Sequence, residues 1–390
     1  MTVTTDKNNA GLVYVSPVSF AQRWTADAPL WLRPVGIAPL SELVAACSED
    51  GYLPLAGGIQ GFTHVDMVMR SDDGYIAARV TSDGARQIAG DTAEARLEVL
   101  SRPRPAFAGL PMDRPHIMGI VNVTPDSFSD GGQFLGAEAA IAHGREMAAA
   151  GATVLDIGGE STRPGAAPVT RDEELARITP VISALSADGH LISADTRHTD
   201  VMGPALGAGA RIINDVSGFT EDGAAEVMGK AYADTSDIWA IAMHMQGTPA
   251  TMQDNPTYGF APVEVFEVLA GHIDRLVAAG LPRANIAVDP GFGFGKTPVH
   301  NAELIKWTAL FHGLGVPVLI GVSRKSSIPK LATRGGMNNC GAGDYGSSSD
   351  DRLAGGLALT LEATAQGAQF IRTHDVAETV QAVAVQRGIG

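Results

Sequence analysis

The chain has 390 residues, of which 45% are hydrophobic and 18% are charged, and its formal net charge is −15. This much apolar material supports a large core and excludes a chain that is disordered as a whole. So acidic a chain repels phosphate backbones, and its composition therefore argues against nucleic-acid binding.

The cysteines and the amino terminus define the expected cellular setting. Cys47 and Cys340 lie far apart without CxxC spacing, so neither a disulfide framework nor a structural zinc site is predicted. The opening residues MTVTTDKNNA contain no basic segment that leads into an apolar run, as a signal peptide would. No apolar run approaches the roughly 18 residues of a membrane span. We therefore expect a cytoplasmic protein with no membrane partner.

The chain changes character near residue 110. Before it, short mixed runs alternate with polar pieces, and residues 92–101 (TAEARLEVLS) have a helical pattern. Residues 102–111 contain three prolines and indicate a domain boundary. We predict a small additional α/β domain over residues 1–110. This region lacks a dense cluster of polar motif residues, which favours a role in stability or assembly over chemistry.

A repeating pattern of strand and helix begins after residue 115. Eight short apolar runs each end in a polar or glycine-rich turn, and they are 116–123, 153–158, 191–195, 211–215, 238–244, 285–289, 317–322 and 369–373. Their continuous apolar character is typical of parallel strands buried on both faces. The pattern predicts a TIM (β/α)8 barrel over residues 115–390, with an open doubly wound sheet as the alternative.

Helix signals separate these runs. A capping box at residues 170–173 (TRDE) and a first-turn proline at Pro262 each predict a helix start, and Gly151 predicts a helix end. Residues 335–349, rich in Gly, Ser and Asn, predict a surface loop between the seventh and eighth strands.

Acidic and amide side chains stand where the predicted strands end. Asp195, Asn214 and Asp289 follow three different strands, and the carboxyl ends of barrel strands share one mouth. Buried carboxylates there are costly unless they are paired or hydrogen-bonded. A flat heterocycle with adjacent N–H donors, such as a 2-amino-4-oxopyrimidine edge, would satisfy them. The alternative for each residue is a hydrogen bond to local backbone.

Cationic side chains follow the seventh and eighth strands. Lys325, Arg372 and His374 lie where barrels commonly bind phosphate, and Asn122 offers an oxygen to a hard cation such as Mg²⁺ beside it. The alternatives are an ion pair with a neighbouring acid for Arg372 and a satisfied core position for His374.

Two further features belong to the predicted mouth. The loops after the first two strands contain glycine and small polar residues and are typical of lids. Phe292 and Phe294 flank Gly293 and are equally consistent with stacking on an aromatic ligand and with packing the barrel top.

These strand-end segments together resemble the dihydropteroate synthase family of the folate pathway. The matching segments are 121–132 (VNVTPDSFSDGG), 156–165 (DIGGESTRPG), 193–196 (SADT), 213–218 (INDVSG), 243–247 (MHMQG), 289–296 (DPGFGFGK), 323–326 (SRKS) and 372–376 (RTHDV). The first two are long and highly specific. The resemblance covers essentially all of residues 115–390 and none of residues 1–110.

The resemblance implies a TIM barrel, a homodimer and a transferase. The implied reaction condenses 6-hydroxymethyl-7,8-dihydropterin pyrophosphate with 4-aminobenzoate and releases pyrophosphate.

The implied pterin site consists of Asp195, Asn214, Asp289 and Lys325. The implied pyrophosphate site consists of Asn122, Arg372 and His374, with Mg²⁺ on Asn122. The implied 4-aminobenzoate pocket consists of Thr162, Arg163, Pro164, Phe294 and Ser326. The first loop, with Phe128 and Asp130, would close over the reacting centre, and the implied catalytic residues are Lys325, Arg372, His374 and Asp130.

Two other functions remain open at this point. A pterin-dependent methyltransferase would share the acids but would not need the SRKS and RTH segments for a leaving pyrophosphate. A catalytically silent pterin-binding protein would be expected to have lost anion-binding or loop residues. The SRKS and RTH segments are both present in this chain, which favours the synthase.

Overall fold

The computed structural model describes residues 11–46, 51–123, 133–161, 169–249, 251–336 and 350–389. Within them, the chain forms a five-stranded sheet near its amino terminus and an eight-stranded parallel sheet after it.

The amino-terminal region is a mixed α/β structure. Its elements are β1 (Leu12–Tyr14), α1 (Pro17–Ala21), β2 (Trp31–Pro39), α2 (Leu40–Ala46), β3 (Leu53–Pro54), β4 (Gln60–Ser71), β5 (Gly74–Thr81) and α3 (Ser82–Ser101). The strand order is β1-β5-β4-β2, with β3 also paired to β4, and β1 runs parallel to β5 while the other pairs are antiparallel. The helix predicted over residues 92–101 is the part of α3 that follows a kink at Gly90.

The second sheet is the predicted barrel. Its strands are β6 (His116–Asn122), β7 (Val154–Gly158), β8 (Ile192–Asp195), β9 (Ile212–Asp215), β10 (Trp239–Met243), β11 (Ile286–Asp289), β12 (Leu319–Ile320) and β13 (Phe370–Thr373). They follow the order β11-β10-β9-β8-β7-β6-β13-β12. A parallel bridge between Val288 and Val318 joins the two ends of this order, with Val288 N donating to Pro317 O at 3.0 Å. The TIM-barrel prediction is confirmed, and the open doubly wound alternative is wrong because the end strands meet.

Helices surround this barrel. They are α4 (Gln133–Ala149), α5 (Arg171–Ala187), α6 (Thr199–Gly207), α7 (Ala224–Thr235), α8 (Ala261–Ala278), α9 (Pro298–Lys306), α10 (Ser327–Arg334), α11 (Leu353–Ala365) and α12 (Val376–Ile389). Short 3₁₀ helices occupy Arg283–Asn285, Thr308–Leu314 and Asp350–Arg352. The predicted starts of α5 and α8 are confirmed. Thr170 Oγ1 accepts from Glu173 N at 3.3 Å, and Pro262 lies in the first turn of α8.

The proline-containing segment before β6 closes the amino-terminal end of the barrel. Phe107 is fully buried, and its ring centroid lies 5.4 Å from that of Phe370 and 6.2 Å from that of Trp239. His116, at the start of β6, hydrogen-bonds the Pro111 carbonyl at 2.6 Å. An aromatic side chain thus fills the end of the barrel opposite the strand carboxyl termini.

The amino-terminal sheet packs directly on the outside of the barrel. A chain of ring contacts runs from Trp31 through Tyr75 and Phe260 to Trp307, with centroid distances of 6.2, 5.9 and 4.8 Å. The Arg33 guanidinium carbon lies 4.5 Å from the Trp307 centroid. Sheet and barrel therefore share an apolar interface that excludes water from both.

A buried carboxylate organises this face of the sheet. Asp66 is fully buried and accepts from Tyr14 Oη at 2.7 Å, from Arg79 Nε at 2.9 Å and from Arg33 Nη1 at 3.3 Å. Arg33 Nη2 in turn donates to the Lys306 carbonyl at 2.7 Å. Asp66 therefore positions the arginine that connects the sheet to the barrel.

None of the described helices is both long enough and apolar enough to span a membrane.

We predict that Asp66→Asn destabilises the protein. The substitution keeps the shape of the side chain but leaves a buried guanidinium without its counter-charge, which costs about 3 kcal/mol of unfolding free energy. Urea denaturation followed by circular dichroism measures this change. The matched control is Asp188→Asn, which removes an exposed pair with Arg145 and should leave the unfolding free energy nearly unchanged. Equal losses in the two variants would contradict the assigned role of Asp66.

Candidate active site

Strand register places the predicted polar residues at one level of the barrel. Across neighbouring strands Asn122 pairs with Gly158, Gly158 with Asp195, and Asp195 with Asn214. Further round, Met243 pairs with Asp289. Residues far apart in sequence therefore end at one mouth because parallel strands terminate in the same direction.

Arg372 joins the acids of this mouth into a network. Its Nε donates to Asp156 Oδ2 and its Nη2 to Asp195 Oδ2, each at 2.5 Å. Asn214 Nδ2 also donates to Asp156 Oδ2, at 3.1 Å. The ion pair suggested as an alternative for Arg372 is therefore present, and its partners belong to the predicted ligand-binding mouth.

The electrostatics of this network follow from its burial. Burial raises the pKa of Asp195, and the charge of Asp156 acts in the same direction, while the Arg372 guanidinium opposes both. For Arg372, burial would lower the pKa, but Asp156 and Asp195 outweigh it and raise the pKa overall. Arg372 therefore stays charged and holds two acids that would otherwise repel each other.

Asp156 belongs to this network and lies in one of the matching segments, but it is not among the site residues predicted from the sequence. It lies inside β7, two residues before the strand end, and its side chain is fully buried. Among the residues that the structure describes, its Oδ1 atom has no hydrogen-bond donor. Its signal in the sequence is a lone acid within the otherwise apolar run TVLDIG.

A second group of residues lies at the ends of β11 and β12. Asp289 Oδ1 accepts from Gly291 N at 2.7 Å, so the local-backbone alternative holds for one of its oxygens. Lys325 Nζ donates to the Phe292 carbonyl and lies 4.3 Å from the Phe294 ring centroid. The two phenylalanines differ, because Phe292 is buried while Phe294 is partly exposed beneath the lysine.

The Asp289 and Lys325 side chains interact electrostatically. Burial raises the pKa of Asp289, and Lys325 opposes that shift. Burial lowers the pKa of Lys325 to about 8, against the attraction of Asp289. Each group would be harder to ionise without the other.

A buried lysine that the sequence reasoning did not select lies beneath this group. Lys296 Nζ contacts His244 Nδ1 and donates to the Phe294 carbonyl, both at 2.9 Å. Burial lowers the pKa of both Lys296 and His244, and the charge of Lys296 lowers the pKa of His244 further. Because an ammonium only donates, the imidazole accepts in its neutral form.

The predicted His374 lies in a polar network at the ends of β12 and β13. Its Nδ1 atom is 3.0 Å from Ser323 Oγ, which also donates to Asp375 Oδ2 at 3.3 Å. Asp375 forms an ion pair with Arg324 at 2.6 Å. His374 is partly exposed at the rim, whereas the Arg372 guanidinium points into the barrel.

The remaining predicted residues divide into two sets. Asn122 ends β6 and is partly exposed, and Ser326 is exposed immediately before α10. Phe128, Asp130, Thr162, Arg163 and Pro164, together with residues 337–349 of the predicted surface loop, lie outside the described residues.

In the part of the chain that the structure describes, protein side chains alone do not form a metal site. There, no group of three or more His, Cys, Asp or Glu side chains is arranged to hold a metal ion.

Comparison with known proteins identifies the family. Residues 118–374 match the family described as "Pterin binding enzyme". Dihydropteroate synthase of Escherichia coli K12 is 44% identical over 277 residues, which cover 71% of this chain and 92% of that protein. Dihydropteroate synthase of Mycobacterium leprae is 38% identical over 270 residues, covering 69% and 91%. The chain belongs to the dihydropteroate synthase family.

Solved structures of the family agree in fold. A Xanthomonas albilineans dihydropteroate synthase with 4-aminobenzoic acid superposes with a TM-score of 0.64 at 42% identity, covering 72% of this chain and 96% of that one. The same enzyme in complex with 7,8-dihydropteroate gives a TM-score of 0.62 at 40% identity, covering 72% and 95%. The family match begins after the amino-terminal region, close to the start of the predicted barrel at residue 115.

The lowered pKa of Lys325 predicts a pH-dependent contribution to stability. Between pH 8 and the ordinary lysine value of 10.5, the unfolded chain binds this proton and the folded protein does not. Losing the proton therefore favours the folded state, and the contribution of Lys325 to stability rises with pH across this window. The measurement is the difference in unfolding free energy between wild type and Lys325→Met from pH 7 to 10. A difference that stays constant or falls would contradict the assignment.

Proposed function

We propose that this chain condenses 6-hydroxymethyl-7,8-dihydropterin pyrophosphate with 4-aminobenzoate to form 7,8-dihydropteroate and pyrophosphate. One observation carries the proposal: acceptors and cations from five barrel strands and from the loop after a sixth converge on one mouth. The acceptors are Asp156, Asp195, Asn214 and Asp289, and the cations are Arg372 and Lys325. Family membership supports the same reaction.

The acids suit the pterin ring. A pterin edge presents several N–H donors in one plane, and buried carboxylates gain most from donors of this kind. Asp156 Oδ1, which lacks a donor among the described residues, and Asp289 Oδ2 are acceptors for such an edge. Lys325 donates to a ring acceptor, and its positive charge reduces the repulsion between Asp289 and the other carboxylates of the mouth.

The cations suit the departing diphosphate. Arg372 and His374 stand at the end of β13, and a charged donor aimed at the diphosphate lowers the cost of its developing charge. The bond between the pterin methylene carbon and the bridging oxygen breaks with its electron pair going to pyrophosphate. The arylamine nitrogen forms the new bond and then loses a proton. This reaction needs no nucleophilic side chain.

The second substrate would lie over the β11 and β12 loops. Phe294 and Ser326 line this side of the mouth in our proposal, with Thr162, Arg163 and Pro164 from the second loop. Closure of the first loop, with Phe128 and Asp130, would exclude water, which competes with the arylamine for the electrophilic carbon.

Magnesium is proposed as the cofactor. Asn122 supplies an amide oxygen of the hard type that Mg²⁺ prefers, and Mg²⁺ bound to substrate phosphates usually takes only one or two protein ligands. The residues present therefore fit a metal held jointly by Asn122 and the diphosphate. When bound, the ion neutralises phosphate charge.

We further propose that the enzyme is a cytoplasmic homodimer and that residues 1–110 form a separate domain. Family resemblance supports the dimer, and the change of sequence character near residue 110 supports the domain. Sedimentation velocity of the full chain tests the dimer, and limited proteolysis tests the domain boundary.

Purified protein is expected to release pyrophosphate only when both substrates are present. This dependence on the arylamine separates a synthase from a methyltransferase and from a silent pterin-binding protein, since neither of the latter uses 4-aminobenzoate. Coupled pyrophosphate detection with and without 4-aminobenzoate provides the measurement. Release that is absent, or equal in both mixtures, would contradict the proposal.

Asp289→Asn is expected to lower kcat/KM by on the order of 100-fold, because a charge-assisted hydrogen bond is lost inside a buried site. Asp113→Asn is the matched control. Asp113 precedes β6 at the opposite end of the barrel, where it pairs with the exposed Arg114. We expect near-normal turnover in the control, and near-normal turnover in Asp289→Asn would refute the assignment of Asp289.

Removal of divalent cations is expected to abolish most turnover, since the leaving diphosphate would keep its full charge. Dialysis against EDTA followed by titration with Mg²⁺ measures this effect. In Asn122→Leu the Mg²⁺ concentration needed for half-maximal rate should rise severalfold. An unchanged requirement in this variant would remove Asn122 from the metal site.

A further inference from the structure

The loop after β11 is held in place by two side chains from the segment between β10 and α8 and by its own Lys296. Gln253 Nε2 donates to the Gly293 carbonyl, Tyr258 Oη to the Gly295 carbonyl, and Lys296 Nζ to the Phe294 carbonyl, each at 2.9 Å. Preorganised loops of this kind position a ligand without ordering at the moment of binding.

One residue connects this loop to the next one. Asn301, in α9, is fully buried, and its Oδ1 atom accepts from Gly293 N at 2.8 Å. Its Nδ2 atom donates to Ser327 Oγ at 2.9 Å and approaches the Lys296 carbonyl at 3.5 Å. A single amide thus bonds the β11 loop and the first residue of α10.

The two bonded residues are neighbours of the proposed arylamine-binding residues. Gly293 immediately precedes Phe294, and Ser327 immediately follows Ser326. Gly293 has φ of +84°, and a Cβ atom there would lie 2.9 Å from Lys325 Cδ, so the lysine stem packs against the bare backbone. The distance between the Phe294 ring and the Lys325 ammonium therefore depends on how the two loops are joined.

We propose that Asn301 is a positioning residue that sets the 4-aminobenzoate side of the mouth by bonding the Phe294 loop to the Ser326 turn. This inference rests on the proposed function. Asn301 is fully buried and its amide bonds Gly293 and Ser327, so it acts through the neighbouring Phe294 and Ser326. Asp195 and Asn214, on the pterin side, are positioned by strand register and the Arg372 network instead.

The test compares Asn301→Leu with a matched control. Asn285→Leu removes a partly buried side-chain hydrogen bond of 2.9 Å, from Asn285 Nδ2 to the Ile238 carbonyl, at the opposite end of the barrel. In Asn301→Leu, the KM for 4-aminobenzoate is expected to rise about tenfold, because Gly293 N and Ser327 Oγ each lose a hydrogen-bond partner. The KM for the pterin substrate should change less than about twofold. Asn285→Leu should leave both KM values unchanged.

The conservative variant distinguishes positioning from general damage. In Asn301→Asp, a carboxylate can accept from Gly293 N and from the Ser327 hydroxyl, so the KM for 4-aminobenzoate should return toward the wild-type value. Should Asn301→Leu not fold, Ser327→Ala, which removes one bond, is expected to raise that KM about threefold. An unchanged KM for 4-aminobenzoate in Asn301→Leu would overturn the proposal. The proposal would also fail if kcat and both KM values changed equally in Asn301→Leu and Asn285→Leu.

A readout without catalysis separates this inference from the proposed function. Hydrogen–deuterium exchange at Gly293 and at residues 325–328 should accelerate in Asn301→Leu and not in Asn285→Leu. If the wild type forms no dihydropteroate, the proposed function fails and the exchange result alone decides whether Asn301 joins the loops. If the wild type is active and the variant matches it in both exchange and KM, only the positioning role is refuted.

Discussion

The mouth of the barrel depends on neutralising buried negative charge. Parallel strands bring acids to one rim, and burial makes each of them costly to ionise. Arg372 meets this constraint by hydrogen-bonding Asp156 and Asp195 at once. Lys325 offsets the cost of ionising Asp289 through the attraction between their charges. Without these cations the acids would be harder to ionise. Arg372, which is proposed to bind the diphosphate, therefore also favours the ionised form of acids that are proposed to bind the pterin.

The two halves of the mouth are held by different kinds of interaction. On the side proposed to bind the pterin, strand register fixes the backbone and ion pairs orient the side chains. On the β11 and β12 side, the backbone is irregular, and its peptide groups are held by side chains from helices and other loops. Both arrangements reduce the ordering that substrates would otherwise have to impose. The two arrangements respond differently to substitution. A strand residue is held by many neighbours, whereas a loop residue is held by a few hydrogen bonds, so the loss of one bond disturbs the position of the loop residue more.

The amino-terminal region adds structure outside the part shared with the family. Its sheet is covered by α3 on one face and by barrel helices on the other, where aromatic rings and Arg33 form the contact. The segment that follows supplies Phe107 to the closed end of the barrel. Both features lie away from the strand carboxyl ends, which agrees with a role in stability or assembly.

The sequence by itself determined the number, order and approximate bounds of the barrel strands, because buried parallel strands are continuous apolar runs whose ends are marked by local residues. It also indicated Asp195, Asn214, Asp289, Lys325 and Arg372, since strand ends in a barrel share one mouth. Only the tertiary structure selected Asp156 as the centre of the network, which bonds a side chain 216 residues away. The same holds for Lys296, Asn301 and the docked amino-terminal sheet. Their partners are set by how loops and layers pack in space, and no local pattern in the chain records such contacts.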